Sequence, residues 1–437
     1  MHQTLFHIPK EIAGIPLFGF GLLLWLWVLG SLIWLGWMVR RQGWNAESRS
    51  FIPLVLLVAA IVWFLLPALC DAEGLPIRSY GTMVLLGVVV GLWLAVRRAK
   101  QIGLDPEYIF SLTFWMILPG IVGARFFYVW EYWENFLRPS RESPQFWPTL
   151  GAMLNVAGGG LVVYGALLGA MAGLIGFVWK YRPQLQQHGV SFLTLADLAA
   201  PSLMFGLALG RVGCFLNGCC YGGLCEAAWA VRFPQGSLPY ESQVHRGQMY
   251  GFSLLEHPKK EPIIVSVRPD SPAAQTGLTA GDRIVKVDGV PVHTSGQAQQ
   301  EIARAFYSQA PLRLETDSGK RVAIPPVAIA DRSLPVHPAQ LYAAVNALVI
   351  GLFLLAYSPF CRWPGQLFAA MLGVYAITRF LLEIIRTDEP GVWPLGLSIS
   401  QNISLLILCG AAVFWVVQTR RYRQKNRLRS ESSSLAH

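Results

Sequence analysis

A chain of 437 residues that is 54% hydrophobic, only 14% charged and holds 16 tryptophans reads as a polytopic membrane protein with a smaller water-soluble part, which excludes an ordinary soluble enzyme. The formal charge of +10 is not a nucleic-acid footprint, because the basic residues fall in short clusters beside apolar runs, and no nucleic-acid partner is expected. No cleavable signal peptide opens the sequence, and the first apolar run is long enough to stay as an anchor.

A spanning helix needs roughly 20 mostly apolar residues. Nine runs qualify, over about 16–38, 51–70, 79–97, 108–130, 158–179, 192–213, 337–358, 365–385 and 398–418. The first two are rich in Trp and Leu and hold no buried charge, so residues 1–76 read as two extra helices for anchoring and packing. Basic clusters follow alternate spans: Arg40, Arg41 and Arg49; Arg97, Arg98 and Lys100; Lys180 and Arg182; Arg362; and Arg420 to Arg429. Nine spans place all of these on one side, the cytoplasmic one. The loops of the other side are mixed or acidic, with Asp71, Glu73, Glu131, Glu134, Asp388 and Glu389. The expected topology has the N-terminus and the long loop 214–336 outside and the C-terminus inside.

The sixth span ends in Leu209-Gly210-Arg211-Val212-Gly213-Cys214-Phe215-Leu216-Asn217-Gly218-Cys219-Cys220-Tyr221-Gly222-Gly223. A guanidinium in apolar surroundings marks a functional site by default, and snorkelling to lipid headgroups is its plainer role. Gly210, Gly213 and Gly218 leave room for a ligand, and an arginine fork facing a phosphate is the simplest pairing there. Cys214, Cys219, Cys220 and Cys225 crowd the same loop. In an oxidising outer compartment disulfides are the favoured reading. Zinc is a minor one, because the spacing lacks C-x-x-C pairs, and thiol exchange is third. No metal and no cofactor is expected.

From about Gln248 to Val327 the composition turns soluble. Ser271-Pro272 starts a short helix that Gly277 ends, Ile284 to Val287 reads as a strand, and Asp288-Gly289 as a hairpin turn. Gln297 to Phe306 suggests a second helix, and Leu312 to Ile324 a closing hairpin. Through Ser271-Pro272-Ala273-Ala274, Gly277-Leu278, Ala280-Gly281-Asp282 and Asp288-Gly289 the segment 248–327 resembles a PDZ domain of the bacterial periplasmic type. The resemblance implies a groove that adds a peptide or protein segment to a sheet edge, with Tyr250, Gly251 and Phe252 at its carboxylate-binding loop.

Beyond the insert, Tyr375, Arg379, Glu383 and Arg386 share one face of the eighth span, where a structural ion-pair network is the plainer reading. The tail from 419 is basic, then Ser-rich, and is expected to lie disordered on the cytoplasmic leaflet.

Several motifs recur in one order: Ile77-Arg78-Ser79-Tyr80-Gly81; Gly123-Ala124-Arg125; Gly158-Gly159-Gly160-Leu161; Gly210-Arg211 with Phe215-Leu216-Asn217-Gly218; His337-Pro338-Ala339-Gln340-Leu341-Tyr342; and Tyr375 to Arg386. In that order, over 77–247 and 328–418, the chain resembles the bacterial prolipoprotein diacylglyceryl transferases. The fold implied is an all-α polytopic membrane protein of the inner membrane with a small α+β insert. The reaction implied moves a diacylglyceryl group from phosphatidylglycerol to the cysteine thiol of a lipoprotein precursor and releases glycerol phosphate. Arg211 and Arg379 suit the clamp for the phosphate leaving group. Tyr80, Arg125, Asn217, Gly218, Gln340, Tyr342, Tyr375, Glu383 and Arg386 fall at substrate-binding positions. The chain departs from the family pattern in four places: Cys214 stands for Asn, Cys219 for Glu, Ala343 for Glu, and Tyr164 for His. Tyrosine, with an ordinary pKa of about 10, is a poor base. His337 is the obvious substitute, or else it is a helix-start histidine bonded to backbone. The alternative to the enzyme is a non-catalytic receptor of the same fold that binds envelope proteins through the insert.

Overall fold

The computed structural model describes residues 4–134, 136, 146–155, 160–255, 260–385 and 396–434. Arg386, Gly158 and Gly159, three of the positions singled out above, lie outside them.

In chain order the elements are β1 (Thr4–Ile8), β2 (Glu11–Ile12), β3 (Ile15–Pro16), α1 (Leu22–Gln42) and α2 (Ala46–Ala60), which runs on through a π-turn to Leu69. Then come β4 (Leu75–Arg78), α3 (Ser79–Gln101), α4 (Pro106–Glu131), α5 (Phe146–Leu154), α6 (Val163–Lys180), α7 (Arg182–Gln187) and α8 (Phe192–Asn217). The insert contributes α9 (Leu238–His245), β5 (Phe252–Leu254), β6 (Ile264–Val267), α10 (Pro272–Gln275), β7 (Ile284–Val287), β8 (Val290–Pro291), α11 (Ser295–Tyr307), β9 (Leu312–Thr316) and β10 (Arg321–Ile324). The chain closes with α12 (Ala339–Tyr357), α13 (Gln366–Ile385) and α14 (Ile399–Ser434), so the tail from 419, expected to be disordered, continues the last span as helix to Ser434, in keeping with its run of Arg, Gln, Lys and Leu.

Eight helices among the described residues are long and apolar enough to cross a membrane. The ninth expected span is α6, which has only 18 residues. At 1.5 Å per residue it reaches about 27 Å, short of the roughly 30 Å hydrocarbon core.

Two compact units emerge, Met1–Leu85 with Gly210–Gln340, and Leu86–Leu209 with Leu341–His437. In the first, β1 pairs antiparallel with β4, so the chain start is tied to the segment that leads into α3. This tie closes the α1–α2 hairpin, and Asn45 and Ser48 cap α2 reciprocally. The soluble part of this unit has its own core: Phe252, Leu254, Ile264, Ile284, Val287, Ile302, Phe306, Leu312, Leu314 and Ile324 are buried together. Its sheet runs in the order β10-β9-β7-β8, and β5 pairs with β6. Tyr240 and Val244 of α9 belong to this core as well, so the soluble fold begins before residue 248. The first of its helices starts as the sequence predicts, with Ser271 capping α10 through Ala274 N–H; the second starts at Ser295, two residues before the expected Gln297, because Thr294 and Gln297 form a capping box there.

In the second unit α4 and α6 cross at backbone contact. A Cβ on Gly123, Gly165, Gly169 or Gly173 would run into the backbone of the facing helix, which is why a run of glycines sits there. Ala200 and Met204 of α8 are buried with Ile350 and Leu354 of α12 and Leu367 and Met371 of α13. Asp197 fastens α8 to the start of α13, accepting from Gly365 N–H at 2.6 Å and Phe368 N–H at 2.8 Å. A carboxylate at a helix N-terminus takes up backbone donors that have no partner within the helix.

Candidate active site

The first unit gathers Tyr80, Arg211, Cys214, Asn217, Gly218, Cys219, Cys220, His337 and Gln340. The gathering follows from how α8 ends. Gly218 takes a left-handed φ of 79°. Its N–H bonds to the Phe215 carbonyl at 3.2 Å, and the Cys219 N–H reaches back to the Cys214 carbonyl at 3.1 Å. These two bonds make a Schellman motif, the ending that a glycine just past a helix favours. The motif brings the side chains on either side of that glycine together, here Cys214 and Cys219. Cys220 also adopts a positive φ, 59°, and adds its thiol. The three sulfurs lie within 4.8 Å of one another.

No disulfide links Cys214, Cys219, Cys220 or Cys225 in this structure, where bridges were the favoured expectation. The helix cap sets the positions of Cys214 and Cys219. Cys225 is bound elsewhere: its N–H bonds to the Pro335 carbonyl, and its sulfur accepts from Ala227 N–H at 3.4 Å. The contact with Cys214 favours a Cys219 thiolate, but Cys220 and burial outweigh it, leaving that thiol above its ordinary value.

Arg211 is half-buried in the last turns of α8 and makes no hydrogen bond or ion pair among the described residues. It interacts electrostatically with Tyr80, as do all three thiols. Tyr80 packs on Gly213, where an added Cβ would come within 3.2 Å of its ring. The loop is held from the other side by the segment entering α12. Gln340 is fully buried and donates to the Cys219 carbonyl at 2.7 Å. Gly222 N–H bonds to the His337 carbonyl at 2.9 Å, and His337 N–H to the Gly223 carbonyl at 3.0 Å. The backbone of His337 is therefore a strut of the loop. A cavity of about 220 Å³ opens beside Asn217 and Gly218, lined also by Leu216, Phe233, Gln235 and Ser237.

The second unit holds the other predicted residues. Arg379 and Glu383 form an ion pair at 2.8 Å, with Glu383 buried, and Arg379 also donates to Ser400. Tyr375 stands one turn earlier, against the α8–α12–α13 core. Tyr342 lies half-buried near the start of α12. Tyr164 is 49% exposed in the first turn of α6 and has no hydrogen-bond partner among the described residues, so nothing there activates its phenol.

Arg125, expected at the substrate, is tied to backbone carbonyls. It donates to the carbonyls of Met153 at 2.7 Å, Ala152 at 2.7 Å and Gly160 at 3.0 Å, and its guanidinium lies over the Tyr128 ring. It binds the α4–α6 connection together. Sequence reading also missed the anchoring role of Asp197. A lone carboxylate within an apolar span was the available signal, and its partners are sequence-distant backbone groups.

Tyr250 and Phe252, expected to flank a peptide groove, are core residues at 0% and 1% exposure. Burial pushes the Tyr250 phenol up to about 12. Gly251, with φ 98°, is covered by Ser271. The outward-facing donors of β5 are already taken: Phe252 N–H by the Gly247 carbonyl at 3.3 Å, and Leu254 N–H by the Arg246 carbonyl at 3.0 Å. A peptide joining this edge has to displace the chain's own residues.

Residues 67–417 match the family described as prolipoprotein diacylglyceryl transferase. The chain is 32% identical to the phosphatidylglycerol–prolipoprotein diacylglyceryl transferase of Rhodopirellula baltica, over 96% of this chain and 90% of that protein. It is 23% identical to the phosphatidylglycerol–prolipoprotein diacylglyceryl transferase 2 of Clostridium perfringens, over 80% of this chain and 95% of that one. The protein of the same activity name from Clostridium tetani is 24% identical over 81% and 99%.

Proposed function

The chain belongs to the prolipoprotein diacylglyceryl transferase family, and from that premise we propose how its own residues carry out the reaction. It is a multi-pass membrane transferase that moves a diacylglyceryl group from phosphatidylglycerol to a prolipoprotein. The observation that carries the residue assignment is Arg211: a half-buried guanidinium at a glycine-rich helix end, with no partner among the described residues. Such a group is poised for a phosphate.

In this reading Arg211 binds the phosphate of phosphatidylglycerol and takes up the negative charge that develops as the C–O bond breaks. Tyr80, Asn217 and Gly218 line the headgroup region, and Gln340 keeps the loop in place. Arg379, held by its ion pair with Glu383, is the other arginine that the family resemblance offers for the phosphate. Tyr375 and Tyr342 stand at substrate-binding positions in the family resemblance. The acceptor thiol has to be deprotonated, because the thiolate is the nucleophile. Tyr164, exposed and without a hydrogen-bond partner among the described residues, is a poor base, and His337 is the imidazole at the loop.

The basic clusters after alternate spans support an inner-membrane protein with N-terminus and insert outside and C-terminus in the cytoplasm. The insert reads as a PDZ-like domain on its Ser271-Pro272 and Asp288-Gly289 turns. A peptide ligand for it is compatible with the structure only if residues 246–247 yield the β5 edge.

The test is transfer in phosphatidylglycerol vesicles to a peptide bearing a lipobox cysteine. Wild type forms the diacylglyceryl thioether, and Arg211→Ala loses about a hundredfold or more of the rate. Equal rates in the two would remove Arg211 from the mechanism.

A further inference from the structure

The three-thiol cluster is unused by the mechanism above, and it lies where that mechanism is weakest, at the deprotonation of the acceptor. We propose that Cys214, Cys219 and Cys220 form a zinc site whose open fourth position binds the acceptor cysteine of the prolipoprotein as a thiolate. This rests on the transferase reading of the same loop.

The geometry suits a metal better than a disulfide. A disulfide joins two sulfurs and leaves the third unpaired next to it. Three sulfurs within 4.8 Å of one another surround a single point. Zinc holds thiolates at about 2.3 Å, which sets them roughly 3.8 Å apart, so closure needs only small side-chain rotations. Thiolate ligands select soft or borderline ions, and three protein ligands with one open position are the pattern of catalytic rather than structural zinc. The site is also built. The Schellman bonds at Gly218, the left-handed backbone of Cys220 and the Gln340 bond to the Cys219 carbonyl fix all three ligands on one short loop. The same loop carries Arg211, and Tyr80 interacts electrostatically with both the arginine and the thiols.

The chemistry then balances. The acceptor S–H displaces water from the ion, and its proton passes to solvent. A metal-bound thiol is deprotonated outright, so no histidine is required. Four thiolates on one dication leave a net charge of about −2, which keeps the incoming sulfur nucleophilic. That sulfur attacks the glyceryl carbon bearing the phosphate ester. The C–S bond forms as the C–O bond breaks, and the C–O electron pair departs with glycerol phosphate, whose charge Arg211 receives. Nothing is oxidised or reduced.

The test uses the full chain in phosphatidylglycerol vesicles, stripped with a chelator and reloaded with zinc or cobalt. Wild type and Arg211→Ala are expected to hold about one zinc per chain, and Cys219→Ser and Cys220→Ser far less. With cobalt as the probe, the sulfur-to-metal charge-transfer absorption is expected to change when a lipobox peptide with cysteine is added, and not with its serine counterpart. Stripping wild type is expected to slow transfer about a hundredfold, and zinc to restore it. A wild-type chain that takes up no metal, or that transfers at full rate when stripped, overturns the proposal and leaves the transferase reading standing. Bound cobalt that ignores the cysteine peptide overturns it too. Absence of transfer in every metal state, with the cobalt spectrum still responding to the cysteine peptide, supports the site and sinks the transferase reading.

Discussion

Arg379 and Glu383 stand one turn apart on α13 with their charged groups 2.8 Å from each other and the glutamate almost wholly buried. A pair so placed is hard to break from one side, because the survivor keeps its charge without its counterion. Glu383→Ala is expected to cost about 3 kcal/mol of stability and to slow transfer, whereas Glu383→Gln retains volume and loses less. Thermal unfolding in detergent, alongside transfer rates, checks this. Equal melting of wild type and Glu383→Ala would show the pair to be incidental.

Arg125 gives a prediction of a different kind. Its three bonds to carbonyls are structural, each worth roughly 1.5–3 kcal/mol when the donor is charged. Arg125→Gln is expected to lower the melting temperature and leave the KM for phosphatidylglycerol unchanged. A raised KM with unchanged melting would return this residue to the substrate.

The α4–α6 crossing leaves no space for a methyl group. A Cβ at residue 173 would collide with the Trp115 carbonyl. Gly173→Ala is expected to destabilise the chain by about 3 kcal/mol, since a backbone atom cannot rotate away as a side chain does. The yield of folded protein on size exclusion, with its melting temperature, reports the effect.

Acid should loosen the insert through Asp282. Burial raises this carboxyl, but the Thr279 N–H, the Lys320 ammonium and the Thr279 hydroxyl outweigh it and hold it below its ordinary 3.8. With the folded value below the unfolded one, the stabilisation is complete above 3.8 and disappears as pH falls through the folded value. Protease protection of the insert in the full chain is expected to drop below about pH 4. In Asp282→Asn it should be lower near neutrality and flatter in acid. Parallel pH curves for the two proteins would exclude this pair as the cause.

The long elements were legible because hydropathy reports burial in lipid directly. Eight of the nine expected spans are long enough to cross, and the exception, α6, begins next to residues outside the described set. The insert's helix starts were legible from Ser271-Pro272, since caps are local chemistry. The cysteine cluster was not legible as a single point. Spacing counts residues along the chain, and here Gly218 reverses the backbone so that Cys214 and Cys219 meet. The carbonyl bonds of Arg125 were hidden for a related reason: a buried arginine has the same sequence signature whether it faces a ligand or backbone carbonyls. The pairing of β5 with residues 246–247 was hidden because those residues carry no motif of their own.

The insert leaves and rejoins the membrane part along paired strands. Val231 and Val336 exchange two backbone bonds of 3.0 Å, Ser333 N–H bonds to the Phe233 carbonyl, and Gln235 N–H bonds to the Asp331 carbonyl. Entry and exit are thus already the two arms of a hairpin, and a tight two-residue turn joining 235 to 331 would close it. A gene that gained or lost these roughly 95 residues would pass between two complete proteins without stretching the arginine loop at either stage. The hairpin arms make the insert a cassette, whose own core can change without moving the two strands that join it to the membrane part.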